Sequence, residues 1–156
     1  MPPLNTPLVS VPSAILPAAP SPRRPLVAVL PFTPGAEDAS LHLLGNEIAD
    51  RLRERLAQDA ALQAILISSD FLAKAPPHAV ELICRELRIG YLISGKCHGG
   101  GSGASLYVEL TDTRDWHIRW ARFYRGTAHT LLAVDGAEMT QLLAGLRRAL
   151  VEHPPR

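Results

Sequence analysis

The stretch AVELICRELRIGYLISGKCHGGGSGASLYVELTDTRDWHIRWARFY, residues Ala79–Tyr124, decides the fold. It opens with apolar side chains at helical spacing. Pro77 suits the first turn of such a helix, and Gly90 suits a position just beyond its end. Tyr91–Cys97 follows as an apolar run that predicts a buried strand. The predicted inward stripe of the helix is Val80, Ile83, Cys84 and Leu87.

The second half of this stretch predicts two more strands joined by tight turns. The glycines between Gly99 and Gly103 allow a hairpin reversal, because glycine adopts positive φ freely. Leu106–Leu110 alternates apolar and polar residues, as a half-exposed strand does. A turn at Asp112–Asp115 then leads to a last strand at His117–Arg125. We expect one face of that strand to carry Ile118, Trp120 and Tyr124.

Upstream of this stretch, the pattern predicts two βα units. Leu26–Phe32 (LVAVLPF) has the Val- and Leu-rich composition of a strand buried on both faces. Ser40 is expected to cap a helix that ends at about Gln58, and Ile65–Ser69 is expected to be a second buried strand. The helix has one apolar stripe, which consists of Leu41, Leu44, Ile48, Leu52 and Leu56.

A final helix is predicted over Leu131–Val151. Its apolar stripe suits a core or a homodimer interface equally well, and consists of Met139, Leu142, Leu143, Leu146 and Leu150. The predicted order is therefore β-α-β-α-β-β-β-α. Crossover connections make the first part of the sheet parallel and tight turns make the rest antiparallel. We expect an α/β fold with a mixed five-stranded sheet flanked by helices.

The composition is that of one globular domain. The chain has 156 residues, of which 47% are hydrophobic, and its 16 basic and 15 acidic side chains leave a net charge of +1. That balance gives no general attraction to nucleic acid or to an anionic membrane. Eight of the 14 prolines lie within Met1–Pro25. We predict an extended tether over 1–25, a single domain over 26–151 and a tail over 152–156.

Three features of the chain bear on its location. No apolar run reaches the roughly 18 residues of a bilayer span. The first 20 residues hold no Lys or Arg, so the positive start of a secretory signal is missing. Cys84 and Cys97 are too few for a disulfide framework. We expect a cytoplasmic protein that does not bind a membrane.

Five segments together carry a family resemblance. In chain order they are LVAVLPF (Leu26–Phe32), GNEIADRL (Gly45–Leu52), SSDFLAK (Ser68–Lys74), CRELRIGYLISGKCH (Cys84–His98) and WARFYR (Trp120–Arg125). The set resembles the TolB N-terminal-like domain of bacterial signalling and transcriptional regulator proteins. Domains of that family sit beside winged-helix, class III cyclase or TPR modules, and their fold is similar to the anticodon-binding domain of some tRNA synthetases.

The resemblance implies a non-catalytic regulatory or protein-interaction role in cytoplasmic signalling or transcription control. Its partner would be another protein or an adjoining signalling domain, and the family has no catalytic residues or cofactor to carry over. This chain departs from the family at Arg122, where an acidic residue is common. It also departs at Lys96, Cys97 and His98, where the strand end usually carries Arg.

Several patterns that suggest chemistry have simpler explanations. Gly90-x4-Gly95-Lys96 nearly matches a phosphate-binding loop, but the intervening YLIS is typical of a strand. Cys97 and His98 are adjacent and would point to opposite faces of that strand, so no metal site is predicted. A catalytic pair of Cys97 and His117 is conceivable, although no orienting carboxylate is evident. The sequence therefore favours a chain that is not an enzyme.

Two candidate sites remain. Ligands bind beyond the carboxyl ends of parallel strands, which predicts a crevice for a small anion, an enzymatic substrate or a partner's backbone. Its residues would be Phe32, Thr33, Ser68, Ser69, Asp70 and Lys74. The other candidate is a basic patch interleaved with aromatic residues, at Arg114, Arg119, Arg122 and Arg125. The patch could bind single-stranded nucleic acid, although an ordinary exposed strand explains it better.

Overall fold

A computed structural model describes residues 24–100, 103–133 and 136–152. Residues 1–23 of the predicted tether, residues 101–102 at the tip of the glycine hairpin, residues 134–135 and residues 153–156 of the predicted tail lie outside this description. Among the residues described, the elements follow one another in an order close to the predicted one. They are β1 (Leu26–Val29), β2 (Thr33–Pro34), α1 (Ala39–Ala57), β3 (Gln63–Leu66), α2 (Ser69–Lys74), α3 (Ala79–Glu86), β4 (Tyr91–Gly100), β5 (Gly103–Asp112), β6 (His117–Gly126), α4 (Ala128–Leu132) and α5 (Ala137–Glu152).

The described strands form one mixed six-stranded sheet in the order β3-β1-β4-β5-β6. β1 runs parallel to both of its neighbours, and β4, β5 and β6 form an antiparallel meander. This confirms the predicted fold class and the change from parallel to antiparallel pairing. The sixth strand is β2, which pairs with the distal part of β4. Two residues are too short to show a sequence pattern, so β2 was not predicted.

The main core lies on one side of the sheet, which we call the inner face. There α1, α4 and α5 pack over the sheet, and the apolar stripes predicted for the first and last helices are all buried. The last stripe therefore packs within this chain's own core. The predicted final helix is divided into α4 and α5. In the part of the chain that the structure describes, no helix has the length and apolar character to cross a bilayer.

A smaller cluster lies on the opposite side, the outer face. Here α2 and α3 pack over β1, β3 and the start of β4, and the cluster is built from Ala28, Ile67, Cys84, Ile89 and Leu92. Leu87 was predicted to point into this layer, and that prediction was wrong. The helix ends at Glu86 and Leu87 is its C-cap, so its side chain leaves the helical stripe and is 54% exposed.

Three predicted boundaries differ because short polar side chains act as caps. Asp38, and not Ser40, caps α1, since its Oδ1 accepts a hydrogen bond from the backbone N–H of Ser40 at 2.8 Å. The strand predicted over Ile65–Ser69 ends at Leu66, because Ser68 caps the short helix α2. The helix expected to start near Pro77 begins at Ala79, after His78 adopts a positive φ of 67°.

A β-bulge changes the phase of the last strand. In the β5–β6 pair, Leu110 faces Trp120 while Thr111 faces Ile118, so Arg119 is an extra residue. Cross-strand partners share a face, and consecutive residues of β5 alternate. Ile118 therefore points to the outer face, where it is 55% exposed, and does not share a side with Trp120 as predicted.

Candidate protein-binding face

Half of the outer face of the sheet is left uncovered by the helices that the structure describes. Beyond the layer made by α2 and α3, the outward side chains of the meander are exposed or half-buried. They lie in three rows across β4, β5 and β6, which are Ser94–Glu109–Ala121, Lys96–Tyr107–Phe123 and His98–Ser105–Arg125. We call these nine residues the open face.

An aromatic pair lies at the centre of the open face. The ring centroids of Tyr107 and Phe123 are 4.8 Å apart with the planes tilted by 44°. Phe123 is 71% exposed, although an aromatic ring of this size gains more than most side chains from burial. Exposed apolar surface concentrated at one place marks interaction sites on soluble proteins. The centre of the open face therefore has the character of an unoccupied contact surface.

A groove runs along the middle row of the open face and has a volume of about 520 Å³. One wall is apolar and comes from the segment after β1 and from α2, through Leu30, Pro31 and Leu72. The open face supplies the other side, including Tyr107 and Phe123. A more polar cavity of about 440 Å³ adjoins the third row and is lined by His98, Ser105, Arg125, Ala104 and glycines. The surface thus has an aromatic pair at its middle, with Lys96 and Glu109 beside it, and a basic end at Arg125.

Gly95 allows a close approach between β4, the backbone of β5 and the ring of Phe32. A Cβ atom at Gly95 would overlap the backbone carbonyl oxygen of Tyr107 and approach the ring of Phe32 to 3.0 Å. Glycine is the residue that tolerates such a close approach. Thr33 adds a second link, because its Oγ1 donates a hydrogen bond to the carbonyl oxygen of Gly95 at 3.2 Å. That bond holds the segment after β1 against β4.

The residues predicted for the crevice lie in different places. β1 and β3 are neighbours, as its premise requires, and Thr33 lines the groove. Phe32 does not line it, because its side chain lies in the main core and is 1% exposed. Ser68 caps α2, and the other three predicted residues belong to α2 itself: Ser69, Asp70 and Lys74. The structure does not gather the six residues in one cavity.

The predicted basic patch is divided among three places. Arg114 and Arg119 bind the buried carboxylate of Asp112 at the β5–β6 turn, with Arg114 Nε 2.9 Å from Asp112 Oδ1. The hydrogen bonds from Arg114 hold the pKa of Asp112 at about 2. The guanidinium of Arg122 lies over the ring of Trp120, 5.7 Å from its centroid. Arg125 alone belongs to the open face.

Cys97 and His117 do not form a reactive pair. Cys97 is buried in the main core, where its Sγ donates to the carbonyl oxygen of Leu41 at 3.2 Å, while Cys84 is buried in the outer cluster. Burial raises the pKa of both thiols. His117 is level with Tyr91, six residues along β4 from Cys97, which separates them by roughly 20 Å. The described residues contain no group of three or more side chains placed to hold a metal ion.

Sequence reasoning missed the two residues at the centre of the open face. Tyr107 was interpreted only as an outward residue of a half-exposed strand, and Phe123 only as part of the basic strand. The signal that could have found them was their shared phase. Both occupy outward positions of strands joined by a tight turn, so a meander brings their rings together.

Comparison with known proteins supports the fold. No family model and no curated protein matches the chain. Among solved structures, TolB from Acinetobacter baumannii is 13% identical, with a TM-score of 0.54, over 85% of this chain but only 29% of TolB. The PelC dodecamer from Paraburkholderia phytofirmans is 15% identical, with a TM-score of 0.50, over 86% of this chain and 90% of PelC.

A third similar structure is lipoprotein GNA1162 from Neisseria meningitidis. It is 11% identical, with a TM-score of 0.50, over 82% of this chain and 97% of that protein. Identities this low show the fold alone. The chain therefore has a TolB-like fold, as the resemblance in sequence predicted. The setting of signalling and transcription control that the resemblance also implied has no support among these structures.

Proposed function

We propose that this chain is a non-catalytic protein-binding module and that its partner docks on the open face. One observation carries the proposal, namely that Phe123 is 71% exposed against Tyr107 on a sheet surface that the described helices leave open. Covering one large apolar side chain contributes about 1.5–3 kcal/mol. Aromatic residues near the centre of an interface commonly dominate its binding energy.

The charges around the aromatic pair specify the partner further. Lys96, His98 and Arg125 lie beside the pair, and Glu109 is the one acidic residue among the nine. A partner that fits this surface has an apolar segment to fill the groove and acidic side chains opposite the basic end. Such rim charges act mainly on association rate and specificity.

The similar structures support a partner in the bacterial envelope. PelC assembles as a dodecamer and GNA1162 is a lipoprotein. We extend from them the ideas that this fold serves protein assembly and that it does so at the envelope, and so we favour an envelope protein over a signalling domain as the partner. The cytoplasmic location expected from the sequence stays a prediction, which cell fractionation would test.

The experiment places a photo-crosslinking amino acid at position 123 and, as the matched control, at position 43. Leu43 lies on α1 and is also largely exposed, at 59%. We expect position 123 to form a defined protein adduct in cells and position 43 to form none. The adduct should disappear when Tyr107→Ser is added. Equal adducts from both positions would contradict the proposal.

A second candidate function uses the same aromatic pair. Tyr107 and Phe123, with Lys96 and Arg125 beside them, have the composition of a surface on which single-stranded nucleic acid stacks. The small net charge of the chain provides no wider attraction. The crosslinking experiment separates the two candidates, because an adduct from position 123 that nuclease removes would assign the open face to nucleic acid.

A further inference from the structure

We propose that the groove is a binding site for a proline-rich peptide and that residues 2–12 of this chain, PPLNTPLVSVP, occupy it. The inference rests on the proposed function, because it assigns an occupant to the same open face. It adds regulation, since an external partner must displace the chain's own segment before it reaches Phe123.

The groove has the surface that proline-rich segments recognise. Leu30, Pro31 and Leu72 form one apolar wall, and the paired rings of Tyr107 and Phe123 lie opposite. Proline-rich ligands dock in aromatic-lined grooves, because a segment already restricted in φ loses little conformational entropy on binding. The groove is also open along the surface, as a peptide ligand requires.

Residues 2–12 match this surface in chemistry. They contain Pro2, Pro3, Pro7 and Pro12, together with Leu4, Leu8, Val9 and Val11, and they hold no acidic or basic side chain. An uncharged, apolar segment brings no charge of its own into the groove, where it would pack on the aromatic pair between Lys96 and Glu109. The basic end at Arg125 then stays available to an external partner.

Chain length selects 2–12 over the rest of the proline-rich segment. The chain enters the described structure at Arg24, whose side chain donates a hydrogen bond to the carbonyl oxygen of Leu62 at 3.3 Å. Thr33, on the wall of the groove, is nine residues further on and so lies within about 30 Å of Arg24. Residues 13–23 can span about 34 Å when extended. They are long enough to bridge that distance, and they leave 2–12 to dock.

An attached ligand of this kind acts at a high local concentration. A segment tethered close to its site has an effective concentration on the order of millimolar, so even weak affinity keeps the groove occupied. The apparent affinity of an external partner falls in proportion to the fraction of groove left free. The segment would thereby set a threshold that only a partner of sufficient affinity or concentration can exceed.

The test uses the full chain with a nitroxide spin label attached at Ser10→Cys. The native thiols are buried and serve as the unlabelled background. We expect selective loss of the backbone amide NMR signals of Lys96, Tyr107 and Phe123, and recovery of these signals when the nitroxide is reduced. Phe123→Ser should remove the effect, and Leu43→Ser, at a comparably exposed apolar position on α1, should leave it in place.

A second variant acts on the segment alone and cannot disturb the folded domain. Replacing Pro3, Pro7 and Leu8 by serine should also abolish the signal loss. The proposal is overturned when the label leaves the open face unaffected, or broadens the exposed face of α1 equally. In that event a protein adduct from position 123 would still support the proposed function, whereas absence of both results would overturn both.

Discussion

Asp112 is the carboxylate on which the β5–β6 turn depends. Its side chain is fully buried, and it accepts hydrogen bonds from the Nε and Nη2 atoms of Arg114 and from the backbone N–H of the same residue. The Nε atom of Arg119, the extra residue of the bulge, lies 3.5 Å from Oδ2 of Asp112. A buried carboxylate is stable only with such partners, so turn, bulge and ion pairs depend on one another.

We predict that Asp112→Asn destabilises the fold in a pH-dependent way. The folded-state pKa of Asp112, about 2, lies below the unfolded value of roughly 3.9, so ionised Asp112 stabilises the folded chain. The contribution is present above about pH 4 and is lost as the pH falls through about 2. The shift corresponds to about 2–3 kcal/mol at pH 7.

Urea unfolding of both proteins between pH 2 and pH 7 measures this difference. The two free energies of unfolding should differ most at neutral pH and converge near pH 2. Asp115→Asn is the matched control, because Asp115 binds the same Arg119 from an exposed position. Asp115→Asn should lower the free energy of unfolding much less than Asp112→Asn does. A difference that stays constant down to pH 2 would show that packing, and not ionisation, is lost in Asp112→Asn.

At the scale of elements, strand phase and helix stripes were predictable, whereas element ends were not. The alternation of Leu106, Val108 and Leu110 identified the buried side of β5 correctly, because successive side chains of a strand point to opposite faces and the pattern can be recognised within one short segment. The end of a helix depends on which of several neighbouring polar side chains forms a hydrogen bond with the backbone. Asp38 and Ser40 are both good caps by residue type, and only the geometry selects Asp38.

Gly45 shows the same limit inside α1. It was quoted only as part of the GNEIADRL segment, yet it is the point at which α1 touches the chain after β1. The backbone N–H of Phe32 donates to the carbonyl oxygen of Gly45 at 3.3 Å, and a Cβ atom at Gly45 would overlap the carbonyl oxygen of Phe32. Helix packing therefore fixes a residue that helix propensity disfavours.

We predict that Gly45→Ala destabilises the domain although alanine is the better helix former. The helix-propensity gain is about 0.5–1 kcal/mol, and forcing α1 away from Phe32 should cost about 1–3 kcal/mol. Thermal or urea unfolding gives the net change. Glu47→Ala, on the exposed side of the same helix, should be near neutral. If Gly45→Ala instead raised the free energy of unfolding, α1 would be able to move away from Phe32 without destabilising the domain.

For the molecule as a whole, the sheet separates two layers of unequal size. The fold class could be predicted because each of the longer helices and strands has its own hydrophobic periodicity in the sequence. The groove could not, because Pro31, Leu72, Tyr107 and Phe123 are far apart in sequence and meet only through strand order and register. Of the six residues predicted for a crevice at the strand ends, Thr33 lines the groove.

The two cysteines allow the stabilities of the two layers to be compared. Cys84 lies in the small outer cluster and Cys97 in the main core, and both are buried. A layer with few buried apolar side chains opens at lower free energy than the main core. We predict that alkylation in native buffer modifies Cys84 faster than Cys97, with both far slower than in the unfolded chain, as followed by peptide mass spectrometry.

Equal native rates for the two thiols would contradict this prediction, since they would show that both layers open together. Alkylation in concentrated urea is the control and should make the two rates equal. Burial raises the pKa of both thiols, so both reactions are slow at neutral pH for lack of thiolate. The ratio of the two rates therefore reports on opening of the layers.

The bulge at Arg119 has a consequence for insertions and deletions in this gene. Losing the codon for Arg119 would leave β5 and β6 as a regular ladder in which Ile118 still faces Thr111, and the aromatic pair further along the hairpin would keep its place. An insertion or deletion between Ala121 and Phe123 would instead move Phe123 off the outer surface. Length changes should therefore preserve the outer surface at one end of this hairpin and disrupt it at the other.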